Sequence, residues 1–131
     1  MQNRSGCDSL RFRFLWLAMG WGLVLAIVYL SLAPLPVAIP VEHGDKIGHL
    51  ATYAGVMLWF AQLYSSITAR LLLAGGFVAL GIGLEFAQLL TATRTFEIAD
   101  MLADGIGVAS GWFAAPPRTI NFLKRIESAI S

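Results

Sequence analysis

From Phe14 to Ala33 the chain runs for about 20 residues without a charged side chain, the length a helix needs to cross a hydrocarbon core about 30 Å thick. The run is too long for the roughly 7–15-residue apolar stretch of a secretory signal. It therefore predicts an uncleaved transmembrane helix, stopped by the proline-rich "APLPVAIP". Three further apolar runs follow, at about 47–64, 69–90 and 98–115. The last is the least apolar, because Asp100 and Asp104 lie inside it, and Pro116 and Pro117 end it, since proline cannot continue a helix cleanly. Composition agrees: 57% of residues are hydrophobic and 13% charged, against about 45–50% and 25% in soluble domains. The expected fold class is all-α: one domain over residues 1–131, a four-helix transmembrane bundle. Beyond the prolines, Ile120, Leu123, Ile126 and Ile130 recur at intervals of three and four. That spacing predicts a short amphipathic C-terminal helix on the membrane surface.

Basic residues accumulate on the cytoplasmic side of membrane proteins. Arg4, Arg11, Arg13, Arg70, Arg118, Lys124 and Arg125 fall in the two tails and the loop between the second and third spans. Lys46 and Arg94 fall in the other two loops. The split of seven to two predicts cytoplasmic termini in a multi-pass protein of the bacterial cytoplasmic membrane. The net charge of +1 offers no broad basic surface for nucleic acid. Cys7 is the only cysteine, so neither an internal disulfide nor a cysteine metal cluster is available.

The polar residues inside this apolar frame are concentrated at one depth. Asp45, Lys46, His49 and Tyr53 open the second span, and Asp45, His49 and Tyr53 share a helix face at i, i+4 and i+8. Glu85 and Gln88 sit near the outer end of the third span, Glu85 about 8 Å below it. Arg94 lies in the next loop, and Asp100 and Asp104 begin the fourth span. The opposite end of the spans is expected to hold no comparable set. A carboxylate at the centre of a span costs roughly 2.5–3.5 kcal/mol on insertion scales, so such groups face the bundle interior or a wet cavity. Glu85, His49, Asp100 and Asp104 are the candidate catalytic residues. Asp45, Lys46, Tyr53, Gln88 and Arg94 are the candidate substrate-binding residues. The carboxylates and histidine are hard-cation ligand types, but no ligand motif such as HExxH is present, so neither a metal nor a cofactor is called for. Small-residue stripes at Ala51/Gly55, Ala79/Gly83/Ala87 and Gly107/Gly111 are expected to mark close helix contacts.

"DKIGHLATY", "GLEFAQLL", Arg94 and "IADMLADGIGVASG", in this order, resemble the VanZ-like family of small bacterial membrane proteins. The resemblance spans roughly Asp45 to Gly111. The family pattern is Asp-Lys-x-x-His, then Glu-x-x-Gln, an Arg, and an Asp whose helix continues as Ala-Asn-x-x-Gly. Asp45, Lys46, His49, Glu85, Gln88, Arg94 and Asp100 match it. Asp104 stands where the family usually has Asn. The resemblance implies a link to susceptibility to the glycopeptide teicoplanin, which acts outside the membrane, and assigns no chemical activity.

Three readings follow. The first is a protein acting at the outer leaflet on a membrane lipid or a lipid-linked envelope component, by binding or by modification. The second is a small transporter or proton path, which would need polar stations at both ends. The third is a structural assembly partner whose ionic cluster is glue.

Overall fold

The computed structural model describes residues 10–32, 44–91, 98–116 and 118–130. Its elements are α1 (Arg13–Leu32), α2 (Gly44–Leu63), α3 (Ile67–Thr91), α4 (Ile98–Phe113) and α5 (Phe122–Ile130), with no strand among the described residues. The chain is all-helical, as its apolar runs require. The helices begin where local chemistry satisfies their first amides. α3 starts at Ile67 rather than Ala69 because Ser66 Oγ accepts the Ala69 N–H at 3.1 Å, an N-cap. Asn121 Oδ1 accepts the Lys124 N–H at 3.1 Å and starts α5 in the same way.

α1 and α3 are long and apolar enough to cross a membrane, over 20 and 24 residues. Only 17% and 22% of their most apolar windows are buried, whereas the core helix of a soluble protein is mostly buried. Phe14, Leu72 and Leu90 are 85%, 73% and 88% exposed, which suits lipid and not water. α2 and α4 fall outside the same criterion. α2 carries the polar opening and Gln62, and α4, with 16 residues, extends only about 24 Å at 1.5 Å per residue.

The helices alternate in direction. Trp59 of α2 donates its indole N–H to Trp16 O near the start of α1, at 3.0 Å. Gln88 near the end of α3 donates to Ser31 O near the end of α1, at 2.7 Å. α2 and α4 therefore run side by side and parallel, and their contact is made by glycine. A Cβ on Gly107 would stand 2.5 Å from Leu50 O, and one on Gly111 would meet Ala54 O. Backbone approaches this close exclude any side chain and are how helices associate in lipid, where apolar burial offers no gain over the acyl chains and packing decides.

Except at half-buried Ala87, the other two stripes are not contacts. Ala51, Gly55, Ala79 and Gly83 are exposed, and a Cβ on Gly55 or Gly83 would meet nothing within 4 Å. The physical reason is rotational. α4 packs along Leu50, Ala54 and Met57 of α2, and the buried face of α3 is Phe77, Gly81, Leu84, Glu85 and Gln88. The middle of the bundle is an apolar layer of Val56, Met57, Phe60, Phe77 and Val108, each at most 4% exposed.

Candidate functional site

Above that layer, at the N-terminal ends of α2 and α4, a two-rung ladder forms. His49 Nδ1 lies 2.7 Å from Asp104 Oδ1, and Lys46 Nζ lies 4.0 Å from Asp100 Oδ1. The ladder follows from the parallel pairing. Lys46 and His49 are three apart on α2, and Asp100 and Asp104 four apart on α4, so each pair occupies adjacent turns of one face. Burial is unequal across each rung. The His49 and Lys46 side chains are 24% and 30% exposed, those of Asp104 and Asp100 only 3% and 10%.

Asp104 can occupy its place because Gly81 leaves a notch in α3. A Cβ on Gly81 would stand 2.5 Å from Asp104 Oδ2 and 3.1 Å from Asp104 Cβ. Glu85, 1% exposed, lies one turn further along the same face of α3. Glu85, Asp100 and Asp104 are the acids that neighbour His49. Tyr53, 3% exposed, lies one turn below His49, with Asp104 and Glu85 as its acidic neighbours. The structure thus gathers His49, Tyr53, Glu85 and Asp104, with Asp100 and Lys46 beside them. The Gln88 amide donates to Ser31 O on α1. Arg94 and the side chain of Asp45 lie outside the described residues.

A histidine whose Nδ1 is held by a buried carboxylate has its ring orientation fixed and its Nε2 left as the working nitrogen. Such a residue can give or take a proton from a group that reaches the lip of the site. Lys46 supplies an accessible cation one turn away. Among the described residues, no three His, Cys, Asp or Glu side chains are grouped to hold a metal ion.

The opposite end carries a second polar cluster, against the expectation that it would hold none. The last carbonyls of a helix have no intrahelical donor, and those of α2 are satisfied by side chains from three other parts of the chain. Arg70 Nη2 donates to Ala61 O and Arg70 Nε to Tyr64 O, both at 2.8 Å. Asn121 Nδ2 donates to Gln62 O at 3.0 Å, and Arg13 Nη1 to Leu63 O at 2.5 Å. The two guanidinium groups also face the negative end of the helix dipole. Gln62 Oε1 accepts the Phe122 N–H at 3.0 Å, which fixes the start of α5.

From α5, Glu127 returns to α1. It accepts the Arg11 and Phe12 N–H groups at 2.7 Å each and the Trp16 indole N–H at 2.6 Å. Burial pushes the Glu127 carboxyl up, but the Phe12, Trp16 and Arg11 hydrogen bonds and the Arg11 charge outweigh it and hold the carboxyl below its ordinary value. The sequence signals for this end were weak: one Gln inside an apolar run, an Arg at the head of the next, and a lone Glu in the tail.

Comparison with curated proteins and with solved structures found no match. A protein-family model described as VanZ/LLP1 matches residues 9–121, nearly the whole chain and all of the ladder, so the chain belongs to the VanZ/LLP1 family.

Proposed function

We propose that all four long helices cross the bacterial cytoplasmic membrane with both termini in the cytoplasm, and that the His49–Asp104 site acts at the outer leaflet on a lipid-linked or other envelope component. The observation that carries this reading is the asymmetry of the ladder. Two buried acids, Asp104 and Asp100, each back a cation that is about a quarter exposed. A purely structural clamp gains nothing from leaving its cations open. A proton path is disfavoured by the apolar layer of Met57, Phe60, Phe77 and Val108 between the two polar ends. The seven-to-two distribution of basic residues supports the orientation.

Topology is tested with Cys7, the only cysteine. A membrane-impermeant thiol reagent should label it in permeabilised but not in intact cells, and labelling of intact cells overturns the orientation. Function is tested by expressing wild type, Glu85→Gln and His49→Gln in a glycopeptide-sensitive host, with membrane abundance measured beside susceptibility. The expected result is full abundance with any wild-type effect on susceptibility lost in both variants. Retention of a wild-type effect by both removes the cluster from the active part of the molecule.

A further inference from the structure

Among the described residues, the end that carries α5 presents one sign of charge, which the sequence conceals. Every acidic side chain among the described ones is buried: Glu85, Asp100, Asp104 and Glu127 are 1%, 7%, 2% and 8% exposed. Glu127 is the only acid of the described α5 end, and its carboxylate is taken up by the Arg11 and Phe12 amides and the Trp16 indole. What faces outward is Arg11, Arg118, Lys124 and Arg125, all exposed.

The same surface is apolar along one edge. Leu123 and Glu127 take the inner face of α5, but Ile126 and Ile130 stand 43% and 65% exposed at its margin, beside Ile120 at 63%. Arg118 stacks over the Phe113 ring at 4.7 Å, and that ring is 69% exposed. An exposed apolar edge flanked by cations is the form of a helix lying in a lipid headgroup region. The level is right as well, since α1 and α3, the two helices long and apolar enough to cross a membrane, both begin at this end, at Arg13 and Ile67.

We propose that Arg11, Arg118, Lys124 and Arg125 form a binding surface for anionic phospholipid headgroups, with Ile120, Ile126 and Ile130 set into the acyl boundary. Glu127 keeps its own charge off this surface by carrying it inward, and in the same contact it sets the angle at which α5 meets the bundle. The family match ends at residue 121, so the helix lies beyond it, and the surface is independent of the ladder at the other end.

The test uses the full chain carrying Cys7→Ser and Ile130→Cys with a nitroxide label. It is reconstituted in vesicles of phosphatidylcholine alone or of phosphatidylcholine mixed with phosphatidylglycerol. The label should be more deeply immersed in the anionic vesicles, and the difference should vanish at high salt, because exposed charges are screened. Removing Arg118, Lys124 and Arg125 together, each to Gln, should abolish it. Removing them singly should lower the retention of phosphatidylglycerol by about fivefold each. The three side chains are exposed, so helix content should be unchanged and serves as the control. Equal immersion of the wild type in both lipids overturns the proposal, as does a triple variant that keeps the wild-type difference. A protein partner with an acidic face would give the first of these outcomes.

Discussion

At the α5 end, Arg13, Arg70, Asn121 and the Trp16 indole each donate to a backbone carbonyl or a carboxylate. Arg70 is 6% exposed and divides its guanidinium between Ala61 O and Tyr64 O. At the ladder end the cations meet side-chain carboxylates, Lys46 at 4.0 Å, and both keep an accessible edge. One end ties four parts of the chain together at the terminus of α2. The other holds charge in place and leaves it reachable. Polar residues in an apolar bundle thus serve two different ends, and burial of the cation, more than of the acid, tells them apart.

The comparison predicts its largest effect at Arg70. Arg70→Met keeps the aliphatic stem and removes both bonds, leaving the Ala61 and Tyr64 carbonyls without these donors. A hydrogen bond from a charged group contributes about 1.5–3 kcal/mol, so losing the two costs about 3–6 kcal/mol, a large share of a typical stability of about 5–15 kcal/mol. Membrane abundance and thermal unfolding in detergent should both fall sharply. A variant of wild-type stability would show that the α5 end is open to water and erase the contrast.

Next comes Asp104→Asn, which keeps the shape and removes the charge opposite His49. In a dry site, breaking such a pair costs about 3–5 kcal/mol. With His49 24% exposed, water compensates, and we expect a loss nearer 1 kcal/mol with abundance maintained. Gly81→Ala should do more harm than its size suggests, because the new methyl lands on the Asp104 carboxylate. A drop for Asp104→Asn as large as that for Arg70→Met would make the ladder a second structural clamp.

The ladder end was readable in the sequence because its partners are side chains at helical spacing. Lys46/His49 and Asp100/Asp104 each mark a face, and acids inside apolar runs stand out. Gly107 and Gly111 were readable from their spacing of four alone. The α5 end was not, because its partners are backbone carbonyls and amides, which no residue type announces. Its contacts also join positions far apart, such as Arg13 with Leu63 and Arg11 with Glu127. The Gln88 bond to Ser31 O on α1 belongs with these, since a backbone acceptor on another helix leaves no mark on the sequence. The small-residue stripes of α2 and α3 show a further limit. They permit close approach, but the rotation of each helix, set by where α4 and Phe77 pack, decides whether a neighbour uses it.

Glu127 offers a pH test of the closed end. Its folded-state carboxyl titrates below the ordinary value of 4.5, so its contribution is present above the unfolded value and is lost as pH falls through the depressed one. Acidification through that window should detach α5 from α1 while the rest of the bundle stays folded. The Trp16 indole N–H resonance, which reports the 2.6 Å bond to Glu127, should move with it. Glu127→Gln should abolish the movement, and an unchanged titration in that variant would assign it to another group.

The smallest effect is expected at Lys46, and it bears directly on the contrast between the ends. Lys46→Gln removes a cation as Arg70→Met does, from a helix terminus in the same bundle. But Lys46 stands 4.0 Å from Asp100 with 30% of its side chain exposed, and pairs of that kind contribute about 0–1 kcal/mol. Asp100 loses a distant, partly hydrated neighbour, and the added water that follows the shorter side chain takes its place. Unfolding temperature and abundance should therefore match wild type within error. If Lys46 serves ligands, the same variant should still change any effect of the protein on glycopeptide susceptibility, separating binding from folding at a single position. A marked loss of stability in Lys46→Gln would mean that the open end is held as tightly as the closed one, and the exposure of its cations would no longer distinguish a site from a clamp.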